Sequence, residues 1–115
     1  AKIIVVEPNR AKTLFVSLQN GKPSLAKGKV SIMGRLDCKE PSWTAFHSLT
    51  KTTNFFMHLE DDYVEKKLKF INDIRITTSP SGGAGIIALI YATENQLFEL
   101  NKDSSPLVFL TEDKM

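Results

Sequence analysis

Cys38, His47 and His58 are the residues of this 115-residue chain best suited to soft-metal or nucleophilic chemistry. Zinc sites draw their ligands as close pairs, and separations of nine and eleven residues supply none. No metal site is expected. A Cys–His nucleophile pair meets in space, and the order of these residues gives it no support. Cys38 reads as a small buried residue or a surface thiol, and His47, next to Phe46, as a packing or surface histidine. Glu60, Asp61, Asp62 and Glu65 form the densest acidic cluster. Such carboxylates could bind Mg²⁺ or divide acid and base roles, but neighbours along a chain seldom converge, and an acidic helix start explains them more simply. No catalytic residue and no cofactor follow, so the expectation is a protein that is not an enzyme.

The glycine-rich run Ser81 to Gly85 invites a phosphate-loop reading, because backbone N–H groups freed of side chains cradle anions. No Gly-Lys-Ser/Thr ends the run, and a hairpin tip accounts for it more simply. The remaining constellation is aromatic and basic. Up to Lys39 the chain carries eight cations, Lys2, Arg10, Lys12, Lys22, Lys27, Lys29, Arg35 and Lys39, against Glu7 and Asp37. The excess is +6 in a chain whose formal net charge is +2, which leaves −4 for the remainder. Clustered cations favour a polyanionic partner or an acidic protein face. Lysines at loop tips, solvated and without a partner, are the plainer account, since Lys outnumbers Arg by 12 to 3. Phe15, Trp43, Phe46, Phe55 and Phe56 accompany the basic third, although with seven Phe and one Trp most rings must be buried.

Those residues need a scaffold. The length suits one core over residues 1–115, and 42% hydrophobic with 24% charged residues is an ordinary globular composition. The longest apolar run, Ile86 to Ala92, falls far short of the roughly 18 residues of a membrane span. The N-terminal residues put charge too close to a short apolar run for a secretory signal, and Ala1 is what removal of an initiator Met would leave. A lone cysteine excludes an internal disulfide and suits a reducing compartment, so the expected location is cytoplasmic or nuclear.

Periodicity and punctuation predict strands at Lys2–Val6, Thr13–Gln19, Lys29–Leu36, Asn54–Leu59, Lys67–Thr78, Ile86–Thr93 and Leu107–Leu110, with Glu94-Asn95 a tight turn into Gln96–Leu100. Asn20-Gly21 reads as a turn opening a mobile basic loop, and Pro41-Ser42 as the entrance to a helix over Trp43 to about Lys51. Residues 63–72 fit helix and strand alike, with a helical turn favoured near Asp61 to Lys66. The expected fold is α+β and β-rich: an antiparallel sheet or partly open barrel of about seven strands with one or two short helices.

No RNP-type string, Gly-X-X-Gly clamp or zinc knuckle is present. The reading that follows is a nucleic-acid-binding module, single-stranded and weakly sequence-specific, with Lys12, Lys22, Lys27, Lys29 and Arg35 on phosphates and Phe15 and Trp43 stacking on bases. The alternative is a protein-binding or assembly subunit, of a virus or phage for example, that pairs through strand edges, a homo-oligomer included. Neither reading involves a membrane.

Overall fold

The computed structural model describes residues 1–113 and divides into two compact units, Ala1–Asp61 and the residues from Asp62 onward. In the first, the β-branched residues of Ile4–Pro8 form β1, and the apolar run Phe55–Leu59 forms β2. The strands pair in parallel, with Ile4 opposite Phe55 and Pro8 opposite Leu59. Parallel partners need a long crossover. Here it consists of a 3-10 turn at Asn9–Ala11, helix α1 (Thr13–Asn20), an irregular connection, and helix α2 (Trp43–Thr52). Ala11, Met33, Phe46, Met57 and Leu59 are buried in this unit.

Helix α1 starts where Glu7 reaches forward, its carboxylate accepting from the backbone N–H groups of Leu14 and Phe15 at 2.9 and 3.1 Å. These are orphan donors of a first turn, and an anion is favoured there. The helix stops at Gly21, whose φ of 70° is left-handed, with Gly21 N–H bonded to the Leu18 carbonyl and Lys22 N–H to that of Ser17. Helix α2 opens as expected, with the Ser42 hydroxyl accepting from Ala45 N–H.

The second unit is a helical hairpin. Helix α3 spans Asp61–Asp73 and helix α4 spans Ala84–Glu94. They run antiparallel: the Tyr63 ring meets Tyr91 edge-on at 5.2 Å and Lys67 pairs with Glu94, while Ile71 lies against Gly83 at the other end. Val64, Ile71, Ala84, Ile87, Ala88 and Ala92 are buried between and around them. No helix among the described residues is long and apolar enough to cross a membrane.

The β-rich antiparallel expectation is therefore corrected: among the described residues the chain is α+β, with four α-helices and one open sheet of two parallel strands. Thr13–Gln19 is helical because Glu7 satisfies its first turn and Gly21 closes its last, which outweighs an apolar alternation that Phe15 already broke. Ile86–Thr93 is helical as well. Its residues are apolar on every side, a pattern shared by buried strands and buried helices, and Ala84, Ala88 and Ala92 lie four apart along one buried stripe. The strand placed at Lys67–Thr78 is the second half of α3 followed by irregular chain, with Arg75 (φ 70°) ending the helix in the left-handed region. Lys29–Leu36, Gln96–Leu100 and Leu107–Leu110 form turns or irregular chain. The first strand, the helix from Trp43 and the short strand before Leu59 hold to within a few residues.

Candidate functional site

The loop that carries the basic residues is tied down from within. Asp61, 5% exposed, accepts from the Ser31 hydroxyl at 2.7 Å and from Ile32 N–H at 2.8 Å, and pairs with Arg10 at 3.2 Å. Arg10 also donates to the Val30 carbonyl at 2.8 Å. Lys39 donates to the backbone carbonyls of Arg10 and Lys29 at 2.7 and 3.1 Å and to the Asp37 carboxylate. That lysine holds the Asp37 carboxyl below its ordinary range. A Cβ on Gly28 would overlap the Arg10 carbonyl, so the loop passes this arginine at a distance only glycine allows. The loop is an ordered connection, anchored on Arg10, Asp61 and Lys39.

Around that anchor, Lys22, Lys27, Lys29 and Arg35 are exposed along the irregular connection, and Lys12 is half-buried at the start of α1. Phe15 packs its ring on Phe56 and His58 at 5.7 and 4.7 Å. Trp43 is exposed on the first turn of α2, tilted over His47 at 6.2 Å. A two-stranded sheet offers no β-platform, and Phe15 and Trp43 stand on separate helices. Among the described residues no group of His, Cys, Asp and Glu is arranged to hold a metal ion.

At the carboxyl end of β1, where open α/β folds place ligands, lies a pocket of about 230 Å³. Glu7, Thr13, Cys38, Glu40, Ser42 and Ala45 contribute to its walls. Glu7 is its buried acid. Burial raises the carboxyl above its ordinary pKa, and the hydrogen bonds from the start of α1 offset this only in part. Thr13 donates its hydroxyl to the Cys38 carbonyl, which fixes that wall, and Cys38 itself is exposed. Opposite Glu7 in the strand pairing, His58 is held below its ordinary pKa by burial and by Lys12, and its Nε2 has no partner. A buried acid with a raised pKa in the wall of a small pocket marks a candidate site, and His58 stands on the neighbouring strand outside that lining. Sequence reasoning counted Glu7 only as a charge. Its signal was the acid followed at seven and eight residues by N–H groups that a helix start leaves unpaired.

The glycine-rich run is the entry to α4 and not a hairpin tip. Ser79 accepts Gly82 N–H on its hydroxyl oxygen at 2.9 Å and donates to the Glu112 carboxylate, while the Thr78 hydroxyl donates to the Glu112 carbonyl at 2.7 Å. A Cβ on Gly82 would stand 2.8 and 2.9 Å from Glu112 atoms. The glycine serves the close approach of the C-terminal segment.

No family model matches this chain, and no curated protein matches it. A solved structure does: the crystal structure of the T.th. threonine deaminase, with a TM-score of 0.71 at 15% identity over 91% of this chain. At that identity the likeness is one of fold. The match spans 42% of the deaminase chain, so this chain accounts for under half of that protein's length. The description as a β-rich protein is corrected, because two strands do not make a β-rich domain.

Proposed function

We propose that this chain contributes a small-molecule pocket to an α/β protein of the threonine deaminase fold, and that the Glu7 pocket receives the ammonium end of a small amino acid. The observation that carries the reading is the fold match over 91% of the chain, combined with a buried carboxyl at the carboxyl end of a parallel strand. The chemistry supports it. A zwitterion needs an anion for its ammonium group and a positive pole for its carboxylate. The pocket offers Glu7 and Glu40 as acids and the first turn of α2, at Ser42 and Ala45, as the positive pole. Its 230 Å³ suits one small amino acid better than a nucleotide.

Release of an amino group that begins with loss of the Cα proton places negative charge at Cα, for which pyridoxal phosphate on a lysine would be an electron sink. Each described lysine is exposed or half-buried, and Lys39 and Lys67 are engaged in ion pairs. The described residues do not supply a desolvated lysine, so no step through such a group is assigned to them. The contribution argued for this chain is binding and orientation.

Titration of the labelled chain with L-threonine tests the proposal. Saturable shifts are expected at Glu7, Thr13, Leu14 and Ser42, with loss of affinity of about tenfold in Glu7→Gln, the order expected when a charge-assisted hydrogen bond is weakened. Shifts absent at millimolar ligand, or unchanged in the variant, would remove the proposal.

A further inference from the structure

Helix α4 stops with Leu97 N–H donating to the Ala92 carbonyl at 2.8 Å and Gln96 N–H to that of Thr93 at 3.3 Å, Gln96 being left-handed at φ 54°. One left-handed residue is what ending a helix ordinarily requires. Here two more follow. Phe98 and Glu99 stand at φ 59° and 58°, and Leu100 N–H bonds back to the Leu97 carbonyl at 3.3 Å. Two left-handed central residues are the pattern of a type I′ turn, which Asn and Gly fill readily. Phenylalanine and glutamate do not, because in that region a Cβ crowds its own carbonyl oxygen. Three of the four non-glycine residues with left-handed φ among the described residues fall at 96–99, so the strain gathers at one joint.

Beyond that joint the chain returns along α4 toward its entrance. A Cβ on Gly85 would meet the Phe109 carbonyl oxygen at 3.5 Å and the Val108 Cβ at 3.6 Å, and one on Gly82 would stand 2.8 Å from the Glu112 Cγ. Apolar burial does little to hold this return. Leu107 is 79% and Phe109 72% exposed, and from 105 to 113 only Val108 and Glu112 are even half-buried. The hold is polar and lies at the tip. The Ser79 hydroxyl donates to the Glu112 carboxylate, and the Thr78 hydroxyl donates to the Glu112 carbonyl at 2.7 Å, both from buried residues. A hydrogen bond to a charged group and two strained backbone positions are of similar size, so neither the joint nor the tip decides the outcome alone.

We propose that residues 97–112 are a sprung strap: the left-handed turn at Phe98 and Glu99 drives it off, the Glu112 latch on Thr78 and Ser79 holds it down, and its lifting uncovers the entrance of α4. In the open form Phe98 and Glu99 return to negative φ, and the two hydroxyls exchange Glu112 for water. Opening of this kind is a local event, below global unfolding in free energy. The device belongs to the second unit and does not rest on the Glu7 pocket.

The test is native-state cleavage of the full chain by thermolysin, which cuts before apolar residues and finds such bonds at Leu107, Phe109 and Leu110. When opening and closing outpace cleavage, the rate follows the open population. Glu112→Ala is expected to raise cleavage within residues 105–111 by about fivefold or more, the weight of a lost hydrogen bond to a charged group, with the helical circular dichroism unchanged. The strain is read from a pair of variants at Glu99, which is exposed. Glu99→Ala and Glu99→Gly lose the same side-chain contacts, and only glycine relieves the left-handed φ, so Glu99→Gly should be cut about fivefold more slowly than Glu99→Ala. At an unstrained position the order reverses, since glycine loosens the chain. Equal cleavage of Glu112→Ala and wild type overturns the proposal, as does cleavage of Glu99→Gly no slower than that of Glu99→Ala. Fragments from α3 and α4 appearing as fast as those from the strap also overturn it, because the strap would then open only with the whole unit.

Discussion

Arg10 and Asp61, far apart in the chain, meet at 3.2 Å, and the loop between them closes over both through Val30, Ser31 and Ile32. The Asp61 side chain is 6% exposed, and that of Arg10 is partly open to solvent. The pair therefore acts less as an isolated ion pair than as the polar centre on which the basic loop is folded. Removing the acid should leave the Ser31 hydroxyl and the Ile32 N–H without their acceptor. Asp61→Ala is expected to cost about 2–4 kcal/mol in urea unfolding and to open residues 22–39 to protease, with Asp61→Asn falling between it and wild type. A loss under about 0.5 kcal/mol would mean that the loop holds without this centre.

Glu7 sets a pH dependence whose sign is fixed by its raised pKa. In the folded state the carboxyl holds its proton to higher pH than in the unfolded chain, where the ordinary value is 4.5. The folded state thus binds more protons in that window, and this group's contribution falls as pH rises from about 4.5 through the folded pKa, then stays level. Thermal melts of wild type and Glu7→Gln from about pH 4 to 8 should show the wild-type Tm declining relative to the variant across the acid side of that range. A difference that grows in favour of wild type as pH rises would contradict the assignment.

Gly28 and Gly34 form an internal comparison. A methyl at Gly28 meets the Arg10 carbonyl, while one at Gly34 meets nothing within 4 Å. Gly28→Ala should destabilise by about 1–3 kcal/mol, since backbone must move to admit the methyl. Gly34→Ala should change stability by less than about 1 kcal/mol, in either direction. Equal denaturation midpoints for the two variants would show that the loop does not pass Arg10 as described.

Ile87 and Leu89 separate the core of the helical hairpin from its open side. Ile87 is fully buried and Leu89 half-buried. Ile87→Ala is expected to lose about 2–5 kcal/mol as a cavity substitution. Leu89→Ala should lose clearly less, because its side chain is already partly in water. Chemical denaturation of the two variants checks both parts, and equal losses would contradict the difference in burial.

Residues that carry their own stop and start signals were legible from the sequence. Ser42 followed by a run with apolar positions three and four apart specified α2, and the β-branched Ile4 to Val6 specified β1, because caps and side-chain branching act within a few residues. Of the candidate pocket, only Cys38 and the Pro41-Ser42 helix entrance drew notice as individual residues. The tertiary structure decided the rest. Leu14 to Leu18 and Ile86 to Ala92 carry apolar patterns that a strand and a helix both satisfy, and the choice fell to groups distant in the chain or beyond the pattern. For α1 these were the Glu7 carboxylate at the first turn and the left-handed Gly21 at the last. For α4 it was the antiparallel packing against Tyr63 and Ile71. Glu7 became a buried acid beside a pocket because the crossover to β2 brought Cys38, Ser42 and Ala45 back to the end of β1. That is a matter of chain path, and no periodicity within one segment encodes it.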